Sequence, residues 1–270
     1  MTEEVSISSI AFVLFSSIAI VVDASHFLGG TIIWSPLNSS ATGTSVSIII
    51  TQIYSWTWEL AKCTISNIAN GEQVPITSSY NGMRNKLNCI SNCATGATGY
   101  SAPLIWHFCT DASSVQGSSV GRRSDIINVG QNSDFIVAFA DNAWRPLVIS
   151  SAAAWSIASR LNLKLRANNS VYNSAPVATM MSPINIPVGI AQVIQVPIGN
   201  ADGDTIRCRW SNGTNECGDV CPPSSLPNNT IIYPNCTIVI TGRTARDWFA
   251  VALMVRMFYG HFKNGLLHSS

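Results

Sequence analysis

Charge is the scarcest feature of this sequence. Only 11% of the 270 residues are charged and the formal net charge is +1, whereas about a quarter of the residues in an average globular domain are charged. Because nucleic-acid-binding proteins carry a basic patch, no nucleic-acid partner is expected. So weakly charged a surface needs another source of solubility, and N-linked glycans would supply it.

Long apolar runs are also missing, with one exception near the N-terminus. Residues 7–22 form an uncharged, largely apolar run. This pattern predicts a signal peptide, residues 1–24, that is cleaved after Ala24 to leave Ser25 as the mature start. The acidic opening MTEE stands where a basic region is usual, so a retained membrane anchor is the alternative. No later run reaches the roughly 20 residues of a span, and the mature chain is predicted to be secreted, extracellular and without a membrane span.

The histidines and acids give no sign of catalysis. The four histidines fall in no recognised metal-ligand spacing, and none lies in a triad context. His26 would bind copper as some enzymes do only if it were the first mature residue, which cleavage after Ala24 does not allow. The aspartates at 111, 125, 134 and 141 lie at expected turn and strand borders, where acids are ordinary. We expect no enzyme activity and no cofactor.

The order of the cysteines along the chain is informative. The eight cysteines form one pattern twice, about 130 residues apart: a single cysteine, a close pair separated by three residues, and a last cysteine 15 or 16 residues on. They are Cys63, Cys89, Cys93, Cys109, Cys208, Cys217, Cys221 and Cys236. Zinc sites also use such close pairs, but an exported chain favours disulfides. Four cysteines allow three pairings; we prefer Cys89–Cys93 and Cys217–Cys221 as local links, with Cys63–Cys109 and Cys208–Cys236 joining strands.

Five sequons match the acceptor pattern for N-linked glycans. They begin at Asn38, Asn168, Asn212, Asn228 and Asn235. Three of the five flank the cysteine-rich part of the second half. In an exported chain several of these asparagines are expected to carry glycans and therefore to be exposed.

Strand signals dominate the remainder of the chain. Short β-branched or alternating runs are punctuated by Pro and Gly, and no convincing amphipathic helix interrupts them, so the predicted fold class is all-β. The repeated cysteine pattern divides the chain into a first β-sandwich, residues 25–167, a polar linker, 168–176, and a second β-sandwich, 177–270. The run WFAVALMVRMFYGHF could be helical by propensity, but its neighbours favour a strand.

Four stretches resemble a family of mostly uncharacterised secreted or cell-surface animal proteins: SHFLGGTIIW, NSAPVA, DGDTIRCRW and ECGDVC. In that family a signal peptide precedes a SHFxGG-type start and Ig-like or cadherin-like β-sandwiches. The resemblance covers most of residues 25–258. It implies two tandem, disulfide-linked sandwiches of that type and an extracellular location, but no activity.

The end of the chain departs from the family pattern. Members continue past the equivalent of WFAVALMVRMF with a further β-run, whereas NGLLHSS is short and polar, so the second sandwich is expected to lack its last strand. An open groove of this kind can accept a strand from a second molecule. The expected donor is the mature N-terminal segment, Ser25, His26, Phe27, Thr31, Ile32, Ile33 and Trp34.

These expectations predict a non-enzymatic structural glycoprotein that assembles with itself into fibres through head-to-tail strand complementation. The plain alternative for the groove is that the chain's own tail covers the edge. The alternative function is a cell-surface adhesion or recognition module that binds a protein or a glycan.

One segment has a spacing suited to calcium. Asn200, Asp202 and Asp204 place side-chain oxygens two residues apart, as at the start of a calcium loop. The later acid of an EF-hand is missing, because Ser211 stands there. The Asp-Gly dipeptide within this segment is also a strong hairpin-turn signal, so a turn without calcium is the alternative.

Overall fold

A computed structural model describes residues 26–75, 82–167, 169–179 and 183–258. The structure is all-β, with 44% strand and 7% helix, so the predicted fold class is confirmed at that level. Within these ranges no helix is long and apolar enough to cross a membrane. The predicted signal peptide, Ser25, Asn168 and the residues after Phe258 lie outside the described residues.

The first half of the chain forms a sandwich of two antiparallel sheets. Strands β1, β2, β5 and β4 hydrogen-bond in that order, and β3, β6 and β7 form the facing sheet. The bounds are β1 Phe27–Pro36, β2 Ser45–Thr57, β3 Asn88–Ser91, β4 Phe108–Ser113, β5 Ser118–Gly130, β6 Asp134–Asp141 and β7 Trp155–Asn162. Two short helices, α1 Ile65–Ala69 and α2 Cys93–Gly96, and a 3-10 turn, Gly82–Arg84, lie in the connections.

Phe27 stands at the centre of the first core. Its ring centroid lies 4.3 Å from that of Trp155 on β7 and 5.0 Å from that of Trp56 on β2. Trp144 and Phe139 are 4.9 and 6.1 Å away. Because aromatic rings bury large areas and prefer such offset and edge contacts, this cluster joins the two sheets without a disulfide between them.

A buried polar network crosses the same core beside the rings. Trp56 Nε1 donates to His107 Nε2 at 3.1 Å, and the other ring nitrogen of His107 contacts the Ile105 carbonyl at 3.1 Å. These partners fix a neutral imidazole with its proton on Nδ1. Burial lowers the pKa of His107 to about 4; the bond to Ile105 opposes this shift and nearby Arg123 adds to it.

The second half contains three smaller sheets. Strands β12, β13 and β9 form one, β11 and β14 form another, and β10 and β8 form a short third. The bounds are β8 Val177–Ala178, β9 Ala191–Gln195, β10 Ile198–Gly199, β11 Thr205–Trp210, β12 Ile231–Ile232, β13 Thr237–Thr241 and β14 Leu253–Phe258. A helical turn, α3 Thr214–Cys217, follows β11. The last apolar run therefore contains a strand, β14, as predicted.

The two halves pack against each other, although each has its own sheets. The loop after β11 docks on the start of β7, where Ser156 Oγ donates to the Asn215 carbonyl at 2.7 Å and Ala154 N donates to Asp219 Oδ2 at 2.9 Å. Val220 and Ala250 belong to the first core. The boundaries predicted for two domains remain predictions, because the packing continues across the linker.

All eight cysteines form disulfides, in the pairing preferred from the sequence. The pairs are Cys63–Cys109, Cys89–Cys93, Cys208–Cys236 and Cys217–Cys221. Cys208 lies on β11 and Cys236 immediately precedes β13, so this pair links the two larger sheets of the second half.

Removing Cys63–Cys109 should destabilise the protein more than removing Cys89–Cys93. The first pair spans 46 residues and the second spans 4, so loop-closure entropy predicts losses of about 4 and about 2 kcal/mol. Urea unfolding of the Cys63→Ala/Cys109→Ala and Cys89→Ala/Cys93→Ala variants measures both. Equal losses would contradict the argument.

Because of His107, the free energy of unfolding should decrease as the pH falls below 6.5, the ordinary pKa of histidine. A histidine whose folded pKa is lowered stabilises the fold above 6.5, and this contribution disappears as the pH falls toward about 4. The loss amounts to about 3 kcal/mol. Denaturation at pH 7 and pH 4.5 should show a much smaller decrease for His107→Gln than for the parent. An equal decrease in the parent and in His107→Gln would show that His107 is not responsible for the pH dependence.

Candidate functional site

β14 is an edge strand beside the second core. β14 pairs with β11 from Trp210↔Leu253 to Thr205↔Phe258. In the described part of the chain no strand pairs with its opposite edge. Unpaired N–H and C=O groups along a strand are a template for another strand.

The side chains of β14 divide between two faces. Leu253, Val255 and Met257 lie opposite Trp210, Cys208 and Ile206. Leu253 and Val255 pack on the second core, but they are only half-buried. Within the described residues, the second half is therefore open on the side where β14 has no neighbour.

A cleft of about 1490 Å³ adjoins this open side. Core residues of the second sandwich contribute to its lining: Ile186, Ile194, Val196, Ile238 and Ile240. Residues of β1 and β7 line it from the first sandwich. Asn38, Asn212, Asn228 and Asn235 are not among the lining residues, so glycans on the described sequons would be attached outside the cleft.

Arginines occupy the other face of β11 and β14. Arg207 lies directly opposite Arg256, and Arg209 lies one pair further along the same face. Arg209 makes two contacts of 2.7 Å with Glu216. Burial would raise the pKa of Glu216, but Arg209, the backbone N–H of Asn212 and nearby Arg256 together lower it. The sequence shows that Arg207 and Arg209 alternate with Cys208, but the position of Arg256 opposite Arg207 becomes apparent only from the strand register.

The segment predicted to donate a strand is already part of the molecule. Residues 27–36 form β1, which pairs with β2 from Phe27↔Trp56 to Pro36↔Ile48. Phe27, Ile32 and Trp34 are at most 6% exposed, and Thr31 and Ile33 lie between them on the same strand. His26 Nδ1 contacts Thr57 Oγ1 at 3.0 Å. The described part of the predicted donor is thus paired within its own sheet, and its role in assembly stays a prediction.

The predicted calcium ligands are held by protein groups instead. Arg166 Nη2 donates to Asp204 Oδ1, and the two side chains are 5% and 4% exposed. Ser174 N donates to Asp202 Oδ2 at 2.7 Å, and Asn200 donates its amide to the Asp204 carbonyl at 2.8 Å.

Asn173 completes this arrangement. With its amide oriented for donation, Asn173 Nδ2 lies 2.7 Å from Asp202 Oδ2 and 3.2 Å from Asp204 Oδ2. A buried ion pair thus joins the end of the first sandwich to the β10–β11 turn, and the calcium site stays a prediction. Across the described residues, no group of three or more His, Cys, Asp or Glu side chains could hold a metal.

The described sequons lie where glycosylation needs them. Asn38, Asn212, Asn228 and Asn235 are all exposed. Asn38 and Asn235 accept hydrogen bonds from backbone N–H groups two residues on. These positions are accessible, and the predicted glycans remain a prediction.

One serine matches a hydrolase pattern by spacing alone. Gly117-Ser118-Ser119-Val120-Gly121 fits G-x-S-x-G, but Ser119 is 1% exposed within β5. Its Oγ accepts a hydrogen bond from Cys63 N at 3.2 Å. A nucleophile of this type needs a sharp strand-to-helix turn and an exposed hydroxyl, so the match has no catalytic geometry.

Comparison with known protein families, curated proteins and solved structures found no match to this chain. The family resemblance and the functions inferred from the sequence therefore stand as expectations.

Calcium should leave the stability of the protein unchanged. An ion present at 100 times its Kd would add about 2.7 kcal/mol and raise the melting temperature by several degrees. Thermal unfolding in 5 mM EDTA and in 5 mM CaCl2 should give the same midpoint, because Arg166, Asn173 and Ser174 already use the carboxylates. A saturable rise that Asp202→Asn removes would restore the calcium site.

Proposed function

We propose that this protein is a non-enzymatic extracellular structural glycoprotein that assembles with itself by strand complementation. The acceptor is β14, and the accepted strand belongs to a second copy. One observation carries the proposal: the unpaired edge of β14 lies at the open side of a half-covered apolar core.

One added strand would supply two kinds of contact that the edge of β14 lacks. The backbone groups along the edge of β14 would gain hydrogen-bond partners, and the half-buried side chains Leu253, Val255 and Met257 would gain an apolar cover. If the donor is a different surface from the acceptor, each copy can give one strand and take another. Such heterologous contacts propagate as an open chain of subunits, so fibres are expected.

Strand order supports the Ig-like interpretation of the first sandwich. In chain order its strands correspond to A through G of the Ig constant-type arrangement, ABED facing CFG, because β1-β2-β5-β4 faces β3-β6-β7. In the second half, β12-β13-β9 and β11-β14 correspond to DEB and CF. The position of strand G falls beside β14, where the described chain leaves the edge open.

Four disulfides and four exposed sequons support an extracellular location. Disulfides persist in oxidising compartments, and each sequon asparagine is accessible to a glycan. Two of the four disulfides join residues distant in sequence, so they also constrain the sandwiches after export.

A recognition or adhesion module is the second candidate. It is favoured by the pairing of residues 27–36 within their own sheet, since the predicted donor is then occupied. The same cleft would in that case take an extended strand from a different extracellular protein.

Met257→Lys should block assembly while the fold is retained. A lysine at this half-buried groove position would place a charge where the accepted strand must pack. The matched control is Val193→Lys, because Val193 lies on a strand of the same sandwich and is 71% exposed. Sedimentation velocity and negative-stain microscopy of the full chain, secreted from eukaryotic cells, should show linear oligomers for the parent and control but not for Met257→Lys.

Monodisperse parent protein at all concentrations would contradict self-assembly and favour the recognition module. Filaments that persist in Met257→Lys would show that assembly uses another surface. Circular dichroism and the count of free thiols should be unchanged in both variants.

A further inference from the structure

We infer that the strand accepted by β14 carries a carboxylate directly opposite Arg256, between two apolar residues. The inference rests on the proposed function and specifies the chemistry of the partner strand. The occupant is an extended strand of this chemistry, and a synthetic peptide with the same pattern represents it in the test.

Strand geometry fixes which side chains would meet. Arg207 lies directly opposite Arg256 on the face turned away from the core. Residues directly opposite one another in neighbouring strands point to the same face. A strand added at the free edge of β14 would therefore place one side chain beside Arg256, extending the row Arg207–Arg256 by a third member.

The two guanidinium groups of this row lack a carboxylate partner among the described residues. The five ion pairs there involve Arg123, Arg160, Lys164, Arg166 and Arg209. Arg207 lies over the ring of Phe258 at 5.6 Å. Glu216 is close enough for Arg256 to help lower its pKa, but its oxygens are bonded to Arg209 and to Asn212 N.

Like charges directly opposite one another destabilise a sheet. In β11 and β14 this repulsion is tolerated because Arg256 is exposed to water. An added strand would remove some of that water. A carboxylate would then pair with Arg256, a neutral residue would leave the repulsion in place, and a lysine would increase it.

The face of β14 that is turned toward the core sets a second requirement for the accepted strand. Residues of the added strand that flank the carboxylate would point toward the cleft, beside Val255 and Met257, since alternate side chains point to opposite faces. The expected partner sequence is therefore apolar–acidic–apolar in an extended segment. Backbone pairing supplies affinity, and these alternating side chains supply selectivity.

Three fluorescein-labelled peptides test the inference: ITVDVTI, ITVNVTI and ITVKVTI. Their affinity for dilute full-length protein is measured by fluorescence anisotropy at low salt. The aspartate peptide should bind about threefold more tightly than the asparagine peptide and about tenfold more tightly than the lysine peptide, as expected for one cross-strand charge pair. The preference should weaken at high salt.

Charge reversal identifies the residue responsible. Arg256→Glu should invert the order of the aspartate and lysine peptides. The matched control Arg243→Glu should leave the order unchanged, because Arg243 is exposed and outside both β11 and β14.

The outcomes separate the two proposals. Equal binding of all three peptides, or an order that survives Arg256→Glu, would overturn the acidic preference while strand acceptance stands. Failure of every peptide to bind, together with a monodisperse parent protein, would overturn both.

Discussion

The structure depends on one constraint: every strand edge that is not paired must be covered or remain in water. The edge of β4 is partly covered, because Phe108 bridges to Gln73. The start of β7 is covered by the loop that follows β11. β14 is also an edge strand; its edge adjoins a cleft, and its side chains Leu253 and Val255 are only half-buried. An unsatisfied backbone next to unburied apolar side chains favours association more than either feature alone.

Contacts between the two halves of the chain hold in place the residues that line the cleft. The buried pair Arg166–Asp204 fixes the end of the first sandwich against the β10–β11 turn, and the Arg145 guanidinium lies 3.3 Å from the centre of the Trp248 ring. Because β1 and β7 line the side opposite the second core, any incoming strand would contact both sandwiches. Assembly would then depend on the relative position of the two halves as well as on β14.

The sequence predicted those structural features that local sequence patterns determine. Cysteine order anticipated the four disulfides, and the neighbouring strands anticipated β14. The sequence did not anticipate the buried pair of Asp204 with Arg166, because the two residues are 38 positions apart and no local spacing reports such a contact. The calcium site stays a prediction. Strand propensity at Phe27–Trp34 does not distinguish pairing within the chain, as seen in β1, from pairing between chains, so the donor role stays a prediction. The Arg207–Arg256 row required the register of two strands separated by more than forty residues.

Amide hydrogen exchange at Leu253–Phe258, followed as protein concentration increases, tests the central claim most directly. The account predicts that the amides of β14 directed away from β11 exchange rapidly in dilute protein and become protected in the assembled state, while the amides of β13 stay protected throughout. Protection of those β14 amides in the dilute monomer, to the same degree as β13, would show that the edge is already paired and would contradict the account.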